Sequence, residues 1–282
     1  MTPERDGRVV CPQDQSDSSK GVSSSPEDLR AVEAARSDPT LVVLEGFHVL
    51  KHAFRFGAEV THVVASDREA TLRLATALAP DVLEPFASRT VVVTEAEIRR
   101  VAPHSHTRVI GVARRPPGDL RALVDRPTGS PVVLLEDPRD LGNVGAVVRV
   151  AAAADVAGVA TTGDADPWDR AALRGSAGLH FALPVGRLPE LVTRRPVIGL
   201  TPDAEPIDPA RLPADGVLAF GSERTGLSPA LLERCDARLA LPMRAGVSSL
   251  NLATSVAAVL FAWRLAGDRE PARGCGPRTS PR

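Results

Sequence analysis

Between Pro131 and Pro242 the chain carries five short apolar runs, PVVLLED, VAGVATT, PVIGLT, GVLAFG and ARLALP, with helix-like stretches between them. Apolar strands separated by helices imply a mainly parallel sheet covered on both faces. The intervening helices start near Asn143, Trp168, Leu188 and Ser228, with Asn143 and Ser228 placed as caps and Pro229 at a first helical position. A shorter series comes first. From Leu41 to Ala113, LVVLEG, VTHVVASD, TVVV and TRVIGVA read as strands, and HVLKHAFRFG, EATLRLATALA and EAEIRRVA as helices. The chain is therefore α/β throughout. Composition shifts divide it into a disordered tail (1–27), a small α/β domain (28–113), a Pro- and Arg-rich linker (114–130), a larger α/β domain (131–267) and a basic tail (268–282).

Composition narrows the function only by exclusion. A net charge of −1 argues against a protein that coats nucleic acid, because such binding needs excess cation to displace counterions. With no Tyr and 3% aromatic residues, broad stacking platforms for single strands are not expected. The Leu252–Trp263 run falls short of the roughly 18 apolar residues that span a bilayer. The N-terminus lacks the apolar core of a signal peptide, so a cytoplasmic location and no membrane partner are expected. Cys11, Cys235 and Cys275 are too far apart to suggest a disulfide framework or a thiolate metal site.

The last helix poses the sharpest question. Between Asn251 and Arg264 it has no charge, which predicts burial on every side, yet it is approached through Gly246 and the polar run Ser248-Ser249-Leu250-Asn251. Capping needs one such side chain, and the surplus marks a site. Two further loops carry similar signals. In LEDPRDLGNVGAVVRV, Arg149 is the only charge between Asp140 and Asp155, a rigid fork suited to phosphate or carboxylate. In GVLAFGSERTGLSPALL, glycines flank Ser222-Glu223-Arg224-Thr225 directly after a strand. Each loop alone is also readable as an ordinary turn with solvated charges.

Taken together and in this order, NVGAVVR, FGSERTGL and LPMRAGVSSLNLATSVAA resemble motifs 1, 2 and 3 of the SpoU/TrmH family of RNA 2′-O-ribose methyltransferases, in the SPOUT superfamily. The resemblance covers about 131–266. It implies an α/β knot domain whose C-terminal segment forms a deep trefoil knot, acting as a homodimer with S-adenosylmethionine as cofactor and no metal. It implies cofactor contacts at Thr201, Gly221, Leu241 and Leu250, and catalytic positions at Asn143, Arg149, Glu223, Ser249 and Asn251. Arg149 is the residue placed on the 2′-hydroxyl. A guanidinium holds its proton too tightly to be a good base, so gripping a phosphate or stabilising developing charge is the role expected here. Arg139, Arg170, Arg174, Arg224 and Arg244 are further candidates to line the RNA cleft. The first domain, through VLEGFHVLKHAFRFGAEV, ASDR and TRVIGVARRP, resembles a ribosomal-protein-like RNA-binding domain, which implies ribosomal rather than transfer RNA as substrate.

Rival readings are a transfer-RNA methyltransferase, a non-catalytic RNA- or ribosome-binding protein retaining the fold, and a Rossmann oxidoreductase. The last needs G-x-G-x-x-G, which Gly142-x-x-Gly145 does not supply. Histidines cluster early. His48 and His52 share a helix face and His104-x-His106 adds two nitrogens, but without H-E-x-x-H or a nearby Cys they read as surface or RNA-contacting groups.

Overall fold

The computed structural model describes residues 26–103 and 108–267. Residues 1–25 and 268–282, with Cys11 and Cys275, and His104 and His106 lie outside the described residues; helix begins at Pro26, two residues inside the expected tail.

Two sheets organise the chain. The first is built from β1 (Leu41–Glu45), β2 (Val60–Ala65), β3 (Thr90–Val92) and β4 (Val109–Arg114), in the order β1-β4-β2-β3. β4 runs antiparallel to both β1 and β2, while β2 and β3 are parallel. Around it lie α1 (Pro26–Ala35), α2 (Phe47–Arg55), α3 (Arg68–Leu78), α4 (Leu83–Arg89) and α5 (Glu95–Val101). Leu29 and Val32 of α1 and Ile98 and Val101 of α5 bury against one face, on Val64, Ile110 and Val112. Leu50 of α2 and Phe86 of α4 bury against the other. Each side chain of this size removed from water contributes about 1.5–3 kcal/mol. Local chemistry sets the helix starts: Asp67 caps α3, and Thr94 and Glu97 form a reciprocal capping box on α5.

The second sheet is wholly parallel. Its strands are β5 (Val132–Leu135), β6 (Gly158–Thr161), β7 (Val185–Arg187), β8 (Val197–Pro206), β9 (Val217–Phe220) and β10 (Ala237–Ala240), in the order β10-β8-β9-β5-β6-β7. Every residue of β5, β6 and β9 is buried, as runs apolar on both faces require. Val133, Leu135, Leu218 and Phe220 face α7 (Leu141–Ala154), α8 (Arg170–Ser176) and α10 (Leu252–Gly267). Val132, Leu134, Val217 and Ala219 face α6 (Leu120–Asp125), α9 (Pro229–Glu233) and the 188–191 segment.

Three local expectations are corrected. Asn143 is the third residue of α7; the cap is Asp140, whose Oδ1 accepts from the backbone N–H of Gly142 and Asn143. No helix forms near Leu188. Pro189 and Pro196 bracket that stretch, and its hydrogen bonds run sideways to α6, from Thr193 Oγ1 to Val124 O and from the buried Arg195 to Leu123 O. And α10, apolar around its circumference, buries only Leu252, Val256, Val259 and Leu260; Phe261 and Leu265 are 41% and 61% exposed. A single chain supplies a packing partner for one side of it.

The two sheets share a core, and polar contacts reinforce the junction. Gly178 lies so close beneath α2 that a Cβ there would sit 2.7 Å from Val49 O. Glu45 accepts from both Arg36 (3.1 Å) and Arg170 (2.8 Å), and Arg115 pairs with Asp166 at 2.9 Å.

Candidate active site

In a parallel sheet all strands end on the same edge, and loops beyond that edge form the default site. Here the loops after β5, β9 and β10 meet. Asn143, on the first turn of α7, donates from Nδ2 to Glu223 Oε1 at 2.9 Å. Its Oδ1 accepts from Asn251 Nδ2 at 3.0 Å. Asn251 in turn caps α10, its Oδ1 accepting from Ala253 N and Thr254 N. One amide thus joins three loops, with donor and acceptor ends fixed by their partners. Because Asp140 serves as the α7 cap, the Asn143 side chain is free for this bridge.

Glu223 stays ionised in this setting. Burial works against its charge, but hydrogen bonds from the Asn143 amide and from backbone N–H groups of Glu223, Arg139 and Asp140 outweigh it and hold the carboxyl below its ordinary value. The loop carrying it is folded tightly on itself. Ser222 and Gly226 exchange backbone hydrogen bonds of 3.2 and 3.0 Å, Gly226 has φ +68°, and a Cβ on Gly221 would lie 2.0 Å from the Gly226 carbonyl carbon. Only glycine fits at Gly221.

Two supporting residues escaped the sequence reading. Glu136, at the end of β5, accepts from Ser228 N (2.7 Å) and Ser228 Oγ (2.6 Å), tying the β9 loop to the β5 loop. Asp140 was overlooked as the cap although an Asp directly before an apolar-periodic run is itself a helix-start signal.

The remaining expected residues fall into two groups. Thr201 and Gly221 directly follow Leu200 and Phe220, which pair across β8 and β9, and Leu241 directly follows β10. Gly221 and Leu241 lie directly past the C-terminal ends of β9 and β10, while Thr201 sits within β8, just past its last pair with β9. Leu250 belongs to the exposed 244–251 segment, in which Gly246 has φ +87° and Ser248, Ser249 and Leu250 form no hydrogen bonds among the described residues. Free backbone donors beside the exposed Val247 and Leu250 make a surface that is apolar and donor-rich at once. Arg149 and Ser249 are not drawn into the Asn143–Glu223–Asn251 bridge. Arg149 is exposed on α7. Of the arginines expected near the cleft, Arg139 pairs with Asp137, and Arg170 is committed to Glu45 at the junction between the sheets.

Gly142-x-x-Gly145 has a packing role. A Cβ on Gly145 would lie 2.1 Å from Ala172 O, so the pair lets α7 and α8 touch backbone to backbone.

Comparison with known proteins places this geometry. Residues 130–261 match the sequence profile of the SpoU rRNA methylase family. A tRNA/rRNA methyltransferase of Mycobacterium bovis, itself uncharacterized, is 30% identical over 251 residues, covering 83% of this chain and 85% of that one. The chain belongs to the SpoU rRNA methylase family. Another SpoU relative, the 23S rRNA (adenosine(1067)-2′-O)-methyltransferase of Streptomyces laurentii, is 28% identical over 246 residues, covering 80% of this chain and 86% of its own length. The SpoU fold is shared with the methyltransferase AviRb of Streptomyces viridochromogenes, solved in complex with the cofactor AdoMet: TM-score 0.68, 22% identity, covering 86% of this chain and 97% of that one. In this SpoU chain the family match spans all three loops that meet at Asn143. Among the described residues no helix is long and apolar enough to cross a membrane, and no group of three or more His, Cys, Asp or Glu is arranged to hold a metal ion. His52 of the early histidine cluster is engaged with Ala177 O at 2.7 Å.

Proposed function

We propose that this chain is a cytoplasmic enzyme that transfers the methyl group of S-adenosylmethionine to a ribose 2′-hydroxyl of RNA, ribosomal rather than transfer RNA. The observation that carries the reading is the Asn143 bridge, which gathers the three motif loops at the strand ends. Relatives named for 23S rRNA 2′-O-methylation support the choice of RNA class.

The residues present suit the cofactor. Its adenine and methionine parts ask for apolar cover and backbone hydrogen bonds, and the Thr201, Gly221, Leu241 and Leu250 backbone with the unpaired 248–250 segment offers both. When bound, S-adenosylmethionine supplies a methyl group on a good leaving thioether. The protein then has to position the 2′-oxygen in line and ease departure of its proton. Asn143, Glu223 and Asn251 hold the loops that frame this step, with Ser249 as a further polar contact. Arg149, through its planar guanidinium fork, grips a target phosphate or stabilises developing negative charge.

A second copy completes the molecule in this reading. The exposed stripe of Ala258, Phe261 and Leu265 on α10 is the kind of apolar surface a homodimer covers. The 241–251 segment is read as part of a trefoil knot. Residues 28–113 serve as the RNA-binding domain and 131–267 as the catalytic one, joined by 114–130.

The test is methyl transfer from labelled S-adenosylmethionine to unmodified ribosomal RNA and transfer RNA side by side, with Arg149→Ala as control. Label in ribosomal RNA, lost in the variant, supports the reading. Label confined to transfer RNA overturns the RNA class. No label in naked RNA or ribosomal particles, with cofactor binding intact, leaves a non-catalytic binding protein.

A further inference from the structure

Three non-glycine residues among those described have positive φ: Asp137 (+44°), Asp155 (+59°) and Ala177 (+54°). Asp155 and Ala177 are the C-caps of α7 and α8, where a left-handed residue is an ordinary way to end a helix. Asp137 has no such reason. It follows β5 and leads into the loop before Asn143, at a position where glycine would fit without strain. Strain of this kind persists only where the surroundings enforce it, and it gathers at functional sites.

The surroundings here belong to the loop after β6. Asp137 N donates to Thr162 Oγ1 at 3.1 Å. A Cβ on Gly163 would lie 2.4 Å from Asp137 Oδ1, so that oxygen is packed against glycine backbone. The other oxygen, Oδ2, accepts from Arg139 Nη2. Arg139 is also fixed at its backbone, whose N–H donates to Glu223 Oε2 at 3.3 Å. A continuous path therefore runs from the β6 loop through Asp137 and Arg139 to Glu223, Asn143 and Asn251.

The Arg139 side chain is 70% exposed, and its Nε and Nη1 donors have no partner among the described residues. One nitrogen of the guanidinium is tied, and the rest of the fork is open to an incoming acceptor. The loops that meet at Asn143 also carry the carboxylates of Glu136, Asp137, Asp140 and Glu223. An approaching phosphate is repelled there unless a cation stands in front of them.

We propose that Arg139 holds a backbone phosphate of the RNA substrate at the mouth of the site, and that Asp137 is the positioning residue that pre-sets its guanidinium. The carboxylate removes the cost of ordering a long side chain when RNA binds, a function that glycine could not supply. This contact is separate from Arg149 on α7, and it rests on the reading of the chain as an RNA-modifying enzyme.

The test is the affinity of the full chain for an unmodified ribosomal RNA transcript between about 50 and 200 mM salt, with melting temperatures measured alongside. Arg139→Gln is expected to lower the log–log slope by about 1 and affinity about tenfold. Asp137→Gly is expected to weaken binding about fivefold at unchanged slope, the ordering cost of one long side chain. Its melting temperature should equal or exceed that of the wild type, because glycine relaxes the backbone. The sign of the affinity change separates two roles, since removing an acid that merely faces solvent would tighten RNA binding. In the Arg139→Gln background, Asp137→Gly is expected to weaken binding no further. Arg238→Gln, which removes a cation bonded to Leu232 O beside α9, serves as the control and is expected to change neither slope nor affinity. Arg139→Gln with wild-type affinity and slope overturns the phosphate contact. Asp137→Gly that binds as well as or better than the wild type, or that weakens binding equally in the Arg139→Gln background, overturns the positioning role. A wild-type chain that binds no ribosomal RNA overturns the RNA reading and this contact with it.

Discussion

Asn143 Nδ2 and Glu223 Oε1 lie 2.9 Å apart although 80 residues separate them in the chain. The amide reaches the carboxylate from the first turn of α7 and passes on to Asn251 through its own oxygen. Removing that one side chain frees the Asn251 loop from the other two, which stay tied through Glu136–Ser228 and Arg139 N–Glu223.

Asn143→Ala is therefore expected to reduce methyl transfer about a hundredfold, the cost of misplacing reacting groups by about an ångström. Cofactor affinity should change little, because the bridge is distinct from the Thr201, Gly221, Leu241 and Leu250 backbone. Single-turnover methylation beside calorimetric cofactor binding separates the two. Equal losses in both would mean that the bridge merely keeps the domain folded.

Gly145→Ala tests the contact between α7 and α8. With a Cβ 2.1 Å from Ala172 O, a backbone atom that cannot swing aside, the helices must separate. We expect destabilisation of about 3 kcal/mol, at the upper end for overpacking, read by urea unfolding. A loss under about 1 kcal/mol would show that α8 shifts freely.

His180 should make stability depend on pH. It is fully buried between Ser176 Oγ and Pro167 O, each at 2.7 Å, and burial lowers its pKa from 6.5 to about 4. As pH falls below about 6.5 the unfolded chain takes up a proton that the folded chain refuses. Stability then declines by up to about 1.4 kcal/mol per pH unit, levelling near pH 4 after a total of about 3 kcal/mol. His180→Gln removes this titration. The stability difference between wild type and variant, measured by unfolding from pH 7 to pH 4, should shift by about that total; a difference constant with pH contradicts the assignment.

Much of the fold was legible for local reasons. VVLL, GVAT and VLAF could only be buried strands, and Ser228-Pro229 could only begin a helix, its Oγ accepting from Leu231 N. Other features were hidden because their causes are distant. β7 is three residues long and exists because β6 offers it a ladder. The stretch after Leu188 has an apolar spacing that reads as helical, yet Leu188 and Leu191 are anchors for a chain tied to α6. Asn143 lost the cap to Asp140 in a competition between neighbouring side chains for the same N–H groups.

Composition and periodicity determined the α/β class, the run of strands and helices, and the residue types gathered in each loop, since these depend on propensity and burial within a few neighbouring positions. The tertiary structure decided that Asn143, Glu223 and Asn251 meet, and that Phe261 and Leu265 stay uncovered in one chain. Those outcomes follow from strand order, β10-β8-β9-β5-β6-β7, and from which layer each helix joins. Sequence period encodes which face of an element is apolar, and leaves to packing which neighbour covers it.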